Sequence, residues 1–89
     1  MLVLPADLTH ASARTCAHML AQSLRGQVSG VVADASGLQK FDSSAIAVLL
    51  ECRREAQVQG KSFSVRGLPE RLRALAALYG VAEILPATP

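Results

Sequence analysis

The stretch VVADASGLQKFDSSAIAVLLECRREAQVQGKSFSVRGL, residues 31–68, carries the pattern that defines the fold. A β-like run covers residues 30–35 and so begins one residue before this stretch, and a helical pattern follows from about Ser43 to Gln59. A second β-like run covers residues 62–66. Because a helix that joins two neighbouring strands brings the chain back in the same direction, this order predicts a parallel strand pair with a right-handed crossover.

The same alternation continues on both sides of this stretch. The predicted strands cover residues 2–4, 30–35, 62–66 and 83–85, and the predicted helices cover about 9–25, 43–59 and 69–79. Thr9 is predicted to cap the first helix, and Gly26, Gly60 and Gly80 follow the three helices as left-handed C-terminal residues. Residues 1–89 are therefore expected to form a single α/β domain with a small, mostly parallel sheet packed with helices, in the order β-α-β-α-β-α-β.

Each predicted helix has one apolar face that suits burial. The inward residues are Ala13, Cys16, Ala17, Leu20 and Leu24 in the first helix, Ala45, Val48, Leu49, Cys52 and Ala56 in the second, and Leu72, Leu75, Ala76 and Leu78 in the third. Both cysteines lie on these faces, and their spacing matches neither a disulfide framework nor a metal site. We therefore interpret Cys16 and Cys52 as core fillers.

The composition narrows the class of function. Apolar residues make up 51% of the chain and charged residues 18%, with a net charge of +2 and only 3% aromatic residues. Thinly spread charge without aromatic platforms argues against nucleic-acid binding. The longest apolar runs are too short to span a bilayer, and the N-terminus lacks the features of a signal peptide. We therefore expect a cytoplasmic protein without direct membrane insertion.

Catalytic chemistry is not expected. A nucleophilic serine needs a base that a third group orients, and neither His10 nor His18 stands in a motif that ties it to Ser43. The sequence also lacks metal-ligand spacing and a glycine-rich phosphate loop with its lysine. The sequence thus predicts no enzyme activity, no metal and no cofactor.

Asp42, Ser43 and Ser44 stand directly before the apolar run AIAVLL, where the second helix begins. Either Asp42 or Ser43 could cap this helix by accepting a hydrogen bond from its first free amides. The same helix start places a hydroxyl beside a positive helix end, which suits a phosphate or an acceptor group of a partner. Upstream, Asp34 and the Ser-Gly step at 36–37 are predicted to build the turn that leads to Asp42.

Part of the apolar run is not needed for the core. Ile46 and Leu50 lie about one turn apart and about 100° away from the inward face, near its boundary or outside it. Two interpretations of Ile46 and Leu50 stay open. Either the third helix covers them, or they are exposed and form part of a docking patch. The docking hypothesis predicts a partner-binding site made of Ser43, Ser44, Ile46, Ala47 and Leu50, flanked by Arg53 and Arg54.

Together these elements resemble a STAS domain, the fold of anti-sigma-factor antagonists and of regulatory modules attached to transporters. The shared pattern is a strand that ends in Asp34, then Ser36-Gly37, Asp42-Ser43-Ser44, a helix, and a strand after Gly60. The opening LVLPADLT and the tail LRALAALYGVAEILP extend the similarity to nearly the whole chain. Within the family they are most similar to the MlaB group, the small STAS subunits of phospholipid-transport ABC complexes.

The resemblance implies a non-enzymatic regulatory or assembly subunit. Its partner would be the cytoplasmic ATPase subunit of a phospholipid-transporting ABC complex that maintains lipid asymmetry, and this complex would hold it peripherally at the inner membrane. The alternative that the resemblance implies is an anti-sigma-factor antagonist whose partner is a serine kinase anti-sigma factor. In those antagonists the serine directly after the aspartate is phosphorylated, and this serine corresponds to Ser43.

Two positions depart from the family pattern. Ala45 stands where glycine is common in the family, and we expect it to be tolerated because alanine is the better helix former. Family members usually have another strand before the run at residues 2–4, so either the start codon is misassigned or the first edge strand is missing and the edge is left open. An open edge strand would also allow a homodimer or a swapped form.

Overall fold

The computed structural model describes residues 2–26 and 30–86, and these residues contain three α-helices. They are α1 (Ala13–Leu24), α2 (Ser44–Val58) and α3 (Glu70–Leu78). The helices match the predicted number and order, because each segment repeats apolar residues at helical spacing and can bury one face. The bounds of α2 lie within one residue of the prediction.

Within the described residues, five short strands form two sheets. β1 (Leu2–Val3), β3 (Gly30–Asp34) and β5 (Ser62–Arg66) form a three-stranded sheet in the order β1-β3-β5. β2 (Asp7–Leu8) and β4 (Lys40–Phe41) form a separate pair. All strand pairings among the described residues are parallel. The prediction of an α/β fold with a small, mostly parallel sheet is therefore confirmed.

Alternate residues of the three-stranded sheet enter the core. Leu2, Ala33 and Val65 lie side by side across the sheet, and all three are buried. Val31 is buried in the next row, beside Phe63 of β5. Helices α1 and α2 add buried side chains to the same core, namely Cys16, Leu20, Leu24, Ala45, Ile46, Val48, Leu49, Cys52 and Ala56. Cys16 and Cys52 are both buried in this core, so their interpretation as core fillers is confirmed.

The first helix begins later than predicted. Thr9 is not its N-cap, because α1 begins at Ala13 and a turn precedes it. In this turn the N–H of Ser12 donates to the carbonyl of Thr9 at 3.0 Å, and the N–H of Thr9 donates to the Ser12 hydroxyl at 3.2 Å. The N–H of His10 donates to Asp42 instead. A contact with a distant segment therefore holds these residues outside the helix.

The strand predicted at residues 83–85 is wrong. Ala82–Ile84 form a short 3-10 helix, and the chain reaches β5 only afterwards, where the N–H of Val65 donates to the Pro86 carbonyl at 2.8 Å. Proline has no N–H to donate to a neighbouring strand, so Pro86 disfavours a regular strand at this point.

Three smaller features also differ from prediction. The side chain of Leu78 is 77% exposed, because it lies about 200° around α3 from the buried Ala76. Gly26 does not have a positive φ, whereas Gly60 and Gly80 have the left-handed conformation predicted for all three glycines. Strands β2 and β4 were not predicted, since two residues are too few to show an alternating pattern.

Candidate functional site

The start of α2 is held by the carboxylate of Asp42. Its Oδ1 accepts a hydrogen bond from the N–H of Ser44 at 2.8 Å, and its Oδ2 accepts one from the N–H of His10 at 3.0 Å. These two amides, that of His10 first, lower the pKa of Asp42 below its ordinary value. Of the two candidate caps, Asp42 therefore holds an amide of the first turn, while Ser43 makes no side-chain cap bond.

The two serines at this helix start differ in their surroundings. Ser43 is exposed. Ser44 is half-buried, and its side chain adds a hydrogen bond that helps to lower the pKa of Asp42. Ser43 is thus exposed to solvent, whereas Ser44 is hydrogen-bonded to Asp42.

Ile46 and Leu50 do not share one environment. Ile46 is 4% exposed and belongs to the buried cluster that includes Leu72 and Ala76 of α3. Of the two interpretations left open for Ile46, its burial agrees with coverage and not with exposure as part of a docking patch. Leu50 is half-buried and packs against the same cluster. The physical reason is that α3 contacts α2, so the covered face of α2 is wider than its own periodicity indicates.

An outward stripe nevertheless runs along α2. Ser43, Ala47 and Arg54 are exposed, and Leu50 lies between them. Their spacing of four, three and four residues aligns them on one side of the helix. We call these four residues the α2 stripe. The stripe presents a hydroxyl, a methyl group, an aliphatic side chain and a guanidinium group, which together suit noncovalent contact with another protein.

Arg54, at the C-terminal end of the stripe, forms only a weak ion pair. Arg54 Nη1 lies 3.6 Å from Glu51 Oε1, and both side chains are largely exposed, so this pair contributes little stability. Val58 follows Arg54 by one turn and is 75% exposed. Sequence reasoning missed Val58, although its spacing of four residues from Arg54 was the available signal.

The loop after β3 contacts the loop after β5. Oδ1 of Asp34 accepts hydrogen bonds from the Ser36 hydroxyl at 2.6 Å and from the Ser36 N–H at 3.0 Å, and these two bonds lower the pKa of Asp34. Gly67 packs against this turn with a φ of +67°, and a Cβ atom there would lie 2.7 Å from the Ser36 Cβ. Both the backbone conformation and the available space therefore require glycine at this position.

Phe41 joins the start of α2 to α3. Its half-buried ring lies 5.2 Å from the Arg71 guanidinium carbon, measured to the ring centroid, which is a cation–π geometry. Phe41 stands two positions before Ser43, so this contact links the first turn of α3 to the segment that leads into α2. Sequence reasoning missed Arg71, because no local pattern links residues of two separate elements.

Comparison with known proteins identifies the family. The family model described as "Mlab, STAS domain" matches residues 1–86 of the 89-residue chain. The chain belongs to the STAS-domain family. A search of curated proteins finds no match for this STAS domain. Membership supports a regulatory or assembly role, since domains of this family are generally not enzymes.

Ala45 occupies a fully buried position of this STAS domain, within the first turns of α2. Its methyl group belongs to the core cluster. Alanine at a position where the family commonly has glycine is therefore compatible with the helix and with its packing.

The described residues of the STAS domain include no helix with the length and apolar character that crossing a membrane requires. They also include no group of three or more His, Cys, Asp or Glu side chains that could hold a metal ion. Burial raises the pKa of the Cys16 thiol and raises that of Cys52 to about 12. Both thiols are therefore protonated and weakly nucleophilic at neutral pH.

Proposed function

We propose that this STAS domain is a non-enzymatic subunit that binds the cytoplasmic ATPase of a phospholipid-transporting ABC complex. The observation that supports this proposal best is the α2 stripe, in which three of four residues are exposed directly after the structured Asp42 cap. Ser43, Ala47, Leu50 and Arg54 would contact the ATPase. Ser44 and the buried Ile46 would act from behind the contact surface, by holding the helix start and its packing.

Binding at the stripe would influence the ATPase through assembly and conformation. A small domain stabilises whichever conformation of a larger protein it binds more tightly, and it shifts the population by that difference in affinity. The domain would thus support assembly and ATPase activity, and so the maintenance of lipid asymmetry. It would stay in the cytoplasm and reach the inner membrane only through the complex.

A binding measurement with purified components tests this proposal. The full chain and the ATPase subunit of the host's phospholipid-transport complex are mixed, and Kd is measured for wild type, Ser43→Glu, Ala47→Asp and Leu50→Asp. We expect each stripe variant to weaken binding at least about tenfold, because each places a charge in a contact that excludes water.

Met19→Asp provides the matched control for these variants. Met19 is exposed on α1, away from the stripe, so an added carboxylate there should leave Kd unchanged. Circular dichroism must show that every variant is folded. Wild-type affinity in all three stripe variants would place the interface elsewhere, and no binding by wild type would contradict the proposed partner.

The exposed Ser43 hydroxyl favours a second candidate function, that of an anti-sigma-factor antagonist. A serine kinase could reach this hydroxyl, since it is exposed and makes no cap bond. A phosphate would add about −1.5 to −2 charges beside the stripe, which would repel an acidic partner surface and would cost desolvation against an apolar one. Mass spectrometry of the chain isolated from its host tests this candidate. Phosphorylated Ser43 together with a co-purified kinase and sigma factor, without an ABC ATPase, would favour it over the first proposal.

A further inference from the structure

The strand β1 lies at one edge of the three-stranded sheet. Within the described residues it pairs with β3 alone. The N–H of Leu4 donates to the Asp34 carbonyl of β3 at 3.0 Å, which fixes the direction of the backbone groups along this segment. Because successive residues of a strand direct these groups to opposite sides, the N–H and the carbonyl of Val3 point away from β3. They are therefore placed to pair with a further strand.

An apolar groove of about 400 Å³ lies beside this edge, between β1 and α1. Val3 is 69% exposed and Met19 is 61% exposed, so two large apolar side chains stand in solvent at the groove. The apolar lining consists of Val3, Leu4, Pro5, Cys16, Met19 and Leu20. An outward backbone edge and an apolar groove thus occur together, and both would be covered by an extended segment that pairs with β1.

Charge does not oppose the approach of an identical surface at this edge. The other residues that line the groove are Asp7, Ser12 and Thr15, so Asp7 is its one charged residue. Asp7 stands four positions after Val3, in β2, where it pairs with Lys40 of β4. Arg14, the only permanently charged residue of α1, lines a different groove, which α1 forms with α2. Two copies that meet at Val3 would therefore bring uncharged side chains together.

We infer that a second copy of this chain pairs with β1 through the same edge. In an antiparallel pairing about a two-fold axis, with Val3 opposite Val3, the N–H of each residue donates to the carbonyl of the other. The pairing joins two three-stranded sheets into one and places the two α1 helices side by side. Met19 of each copy would then cover the groove of the other, since a flexible methionine side chain fills irregular spaces well.

The contact is small, so the dimer is weak. Pro5 has no N–H, which limits the ladder to the few residues around Val3. We expect a dissociation constant on the order of 100 µM, as for other small interfaces. The inference does not depend on the proposed function, because β1 and Met19 lie away from the α2 stripe.

Sedimentation equilibrium of the purified full chain tests the dimer, at concentrations from about 5 µM to about 1 mM. Wild type should be monomeric at the lower end and largely dimeric at the upper end. Val3→Pro removes the outward N–H, and Met19→Asp places two carboxylates near the axis. Each should raise the dissociation constant at least about tenfold. Leu78→Asp is the matched control, because Leu78 is 77% exposed on α3, and it should leave the dimer unchanged.

Amide hydrogen exchange shows whether the contact is a strand pairing. The N–H of Val3 should exchange rapidly at the lower concentration and slowly at the upper one. The N–H of Leu4 is the internal control, because its hydrogen bond to Asp34 should protect it at both concentrations. Circular dichroism must show that each variant is folded, and Met19→Asp keeps the test valid if Val3→Pro does not fold.

A chain that stays monomeric up to the highest concentration would overturn the inference. A dimer that persists in Met19→Asp, or one that leaves the exchange of the Val3 amide unchanged, would place the contact elsewhere and would also overturn it. The proposed function is judged separately, by binding of the ATPase subunit, which Met19→Asp should retain. Loss of the dimer with retained ATPase binding in this variant would support both.

Discussion

The carboxylate of Asp42 accepts the backbone N–H of His10 at 3.0 Å, although His10 lies 32 positions earlier in the chain. Its other oxygen holds the N–H of Ser44 in the first turn of α2. One side chain thus joins the turn before α1 to the start of α2. The turn before α1 is therefore fixed beside the helix start that carries the exposed Ser43.

Replacing Asp42 should destabilise the domain more than replacing its neighbour. Asp42→Ala removes the acceptor for two backbone amides and is expected to lower the Tm clearly. Ser43→Ala is the control, because the Ser43 side chain makes no cap bond, and its effect should stay within about 0.5 kcal/mol. Thermal unfolding followed by circular dichroism compares the two. Equal losses would show that the Ser43 side chain supports the helix start as much as Asp42 does, which would contradict this assignment.

Acid should weaken the domain through Asp34 and Asp42. Local hydrogen bonds lower the pKa of both carboxyls from their ordinary value of 3.8, so the folded state binds their protons less tightly than the unfolded state. Their contribution is therefore complete above the unfolded pKa and is lost as pH falls through the lower folded values.

Urea unfolding at a series of pH values from about 6 to about 2 tests this dependence. We expect the free energy of unfolding of wild type to fall over the acidic part of this range. The double variant Asp34→Asn with Asp42→Asn should show a smaller fall, because neither side chain can then bind a proton. An identical pH profile for the two proteins would contradict the assignment to these carboxyls.

Gly67 and Gly60 offer a matched comparison of crowding and backbone strain. Both have positive φ values, +67° and +71°, but only at Gly67 would a Cβ atom meet another atom within 4 Å. Gly60→Ala should cost about 1 kcal/mol from backbone conformation alone. Gly67→Ala should cost about 2–4 kcal/mol, because it also collides with Ser36. Chemical denaturation measures both values, and equal costs would show that the loops separate easily.

Lys61 stabilises the end of α1 from another element. Its Nζ donates to the Leu24 carbonyl at 3.0 Å, where α1 ends and its last carbonyls lack partners within the helix. Lys61→Met should therefore reduce the free energy of unfolding by about 1 kcal/mol. Lys40→Met is the control at an exposed site and should change it by less than about 0.5 kcal/mol. Similar values for the two variants would exclude a specific role for Lys61.

The thiols should be protected in the folded state. Burial is the main cause that raises the pKa of Cys52 to about 12, from an ordinary value of 9.0. At pH 8 both cysteines should react with a thiol reagent slowly in the folded protein and rapidly after unfolding. Stability should also fall as pH rises above about 9, because the unfolded thiol loses its proton first. Rapid labelling of the folded chain would show that the helices open readily.

The elements were easier to predict than their environments. The helical run before Gly60 and the strand after it carry their own periodicity, so α2 and β5 were predicted closely. The burial of Ile46 could not be predicted in this way, because its position on the helical wheel of α2 gives no information about where α3 packs. The tail shows a second limit, because Glu83 and its neighbours suit either a strand or a 3-10 turn.

The sequence by itself determined the order of the elements, the α/β class and the place where α2 begins. These depend on spacing within a few residues, which local backbone sterics and the burial of one face enforce. Only the tertiary structure decided that Asp42 holds His10, that Arg71 lies on Phe41, and that Ile46 is buried while Ala47 stays exposed. Each of these contacts depends on which element packs against which. Such a contact is stabilised only when two segments far apart in the chain come together, so neither segment's own sequence predicts it.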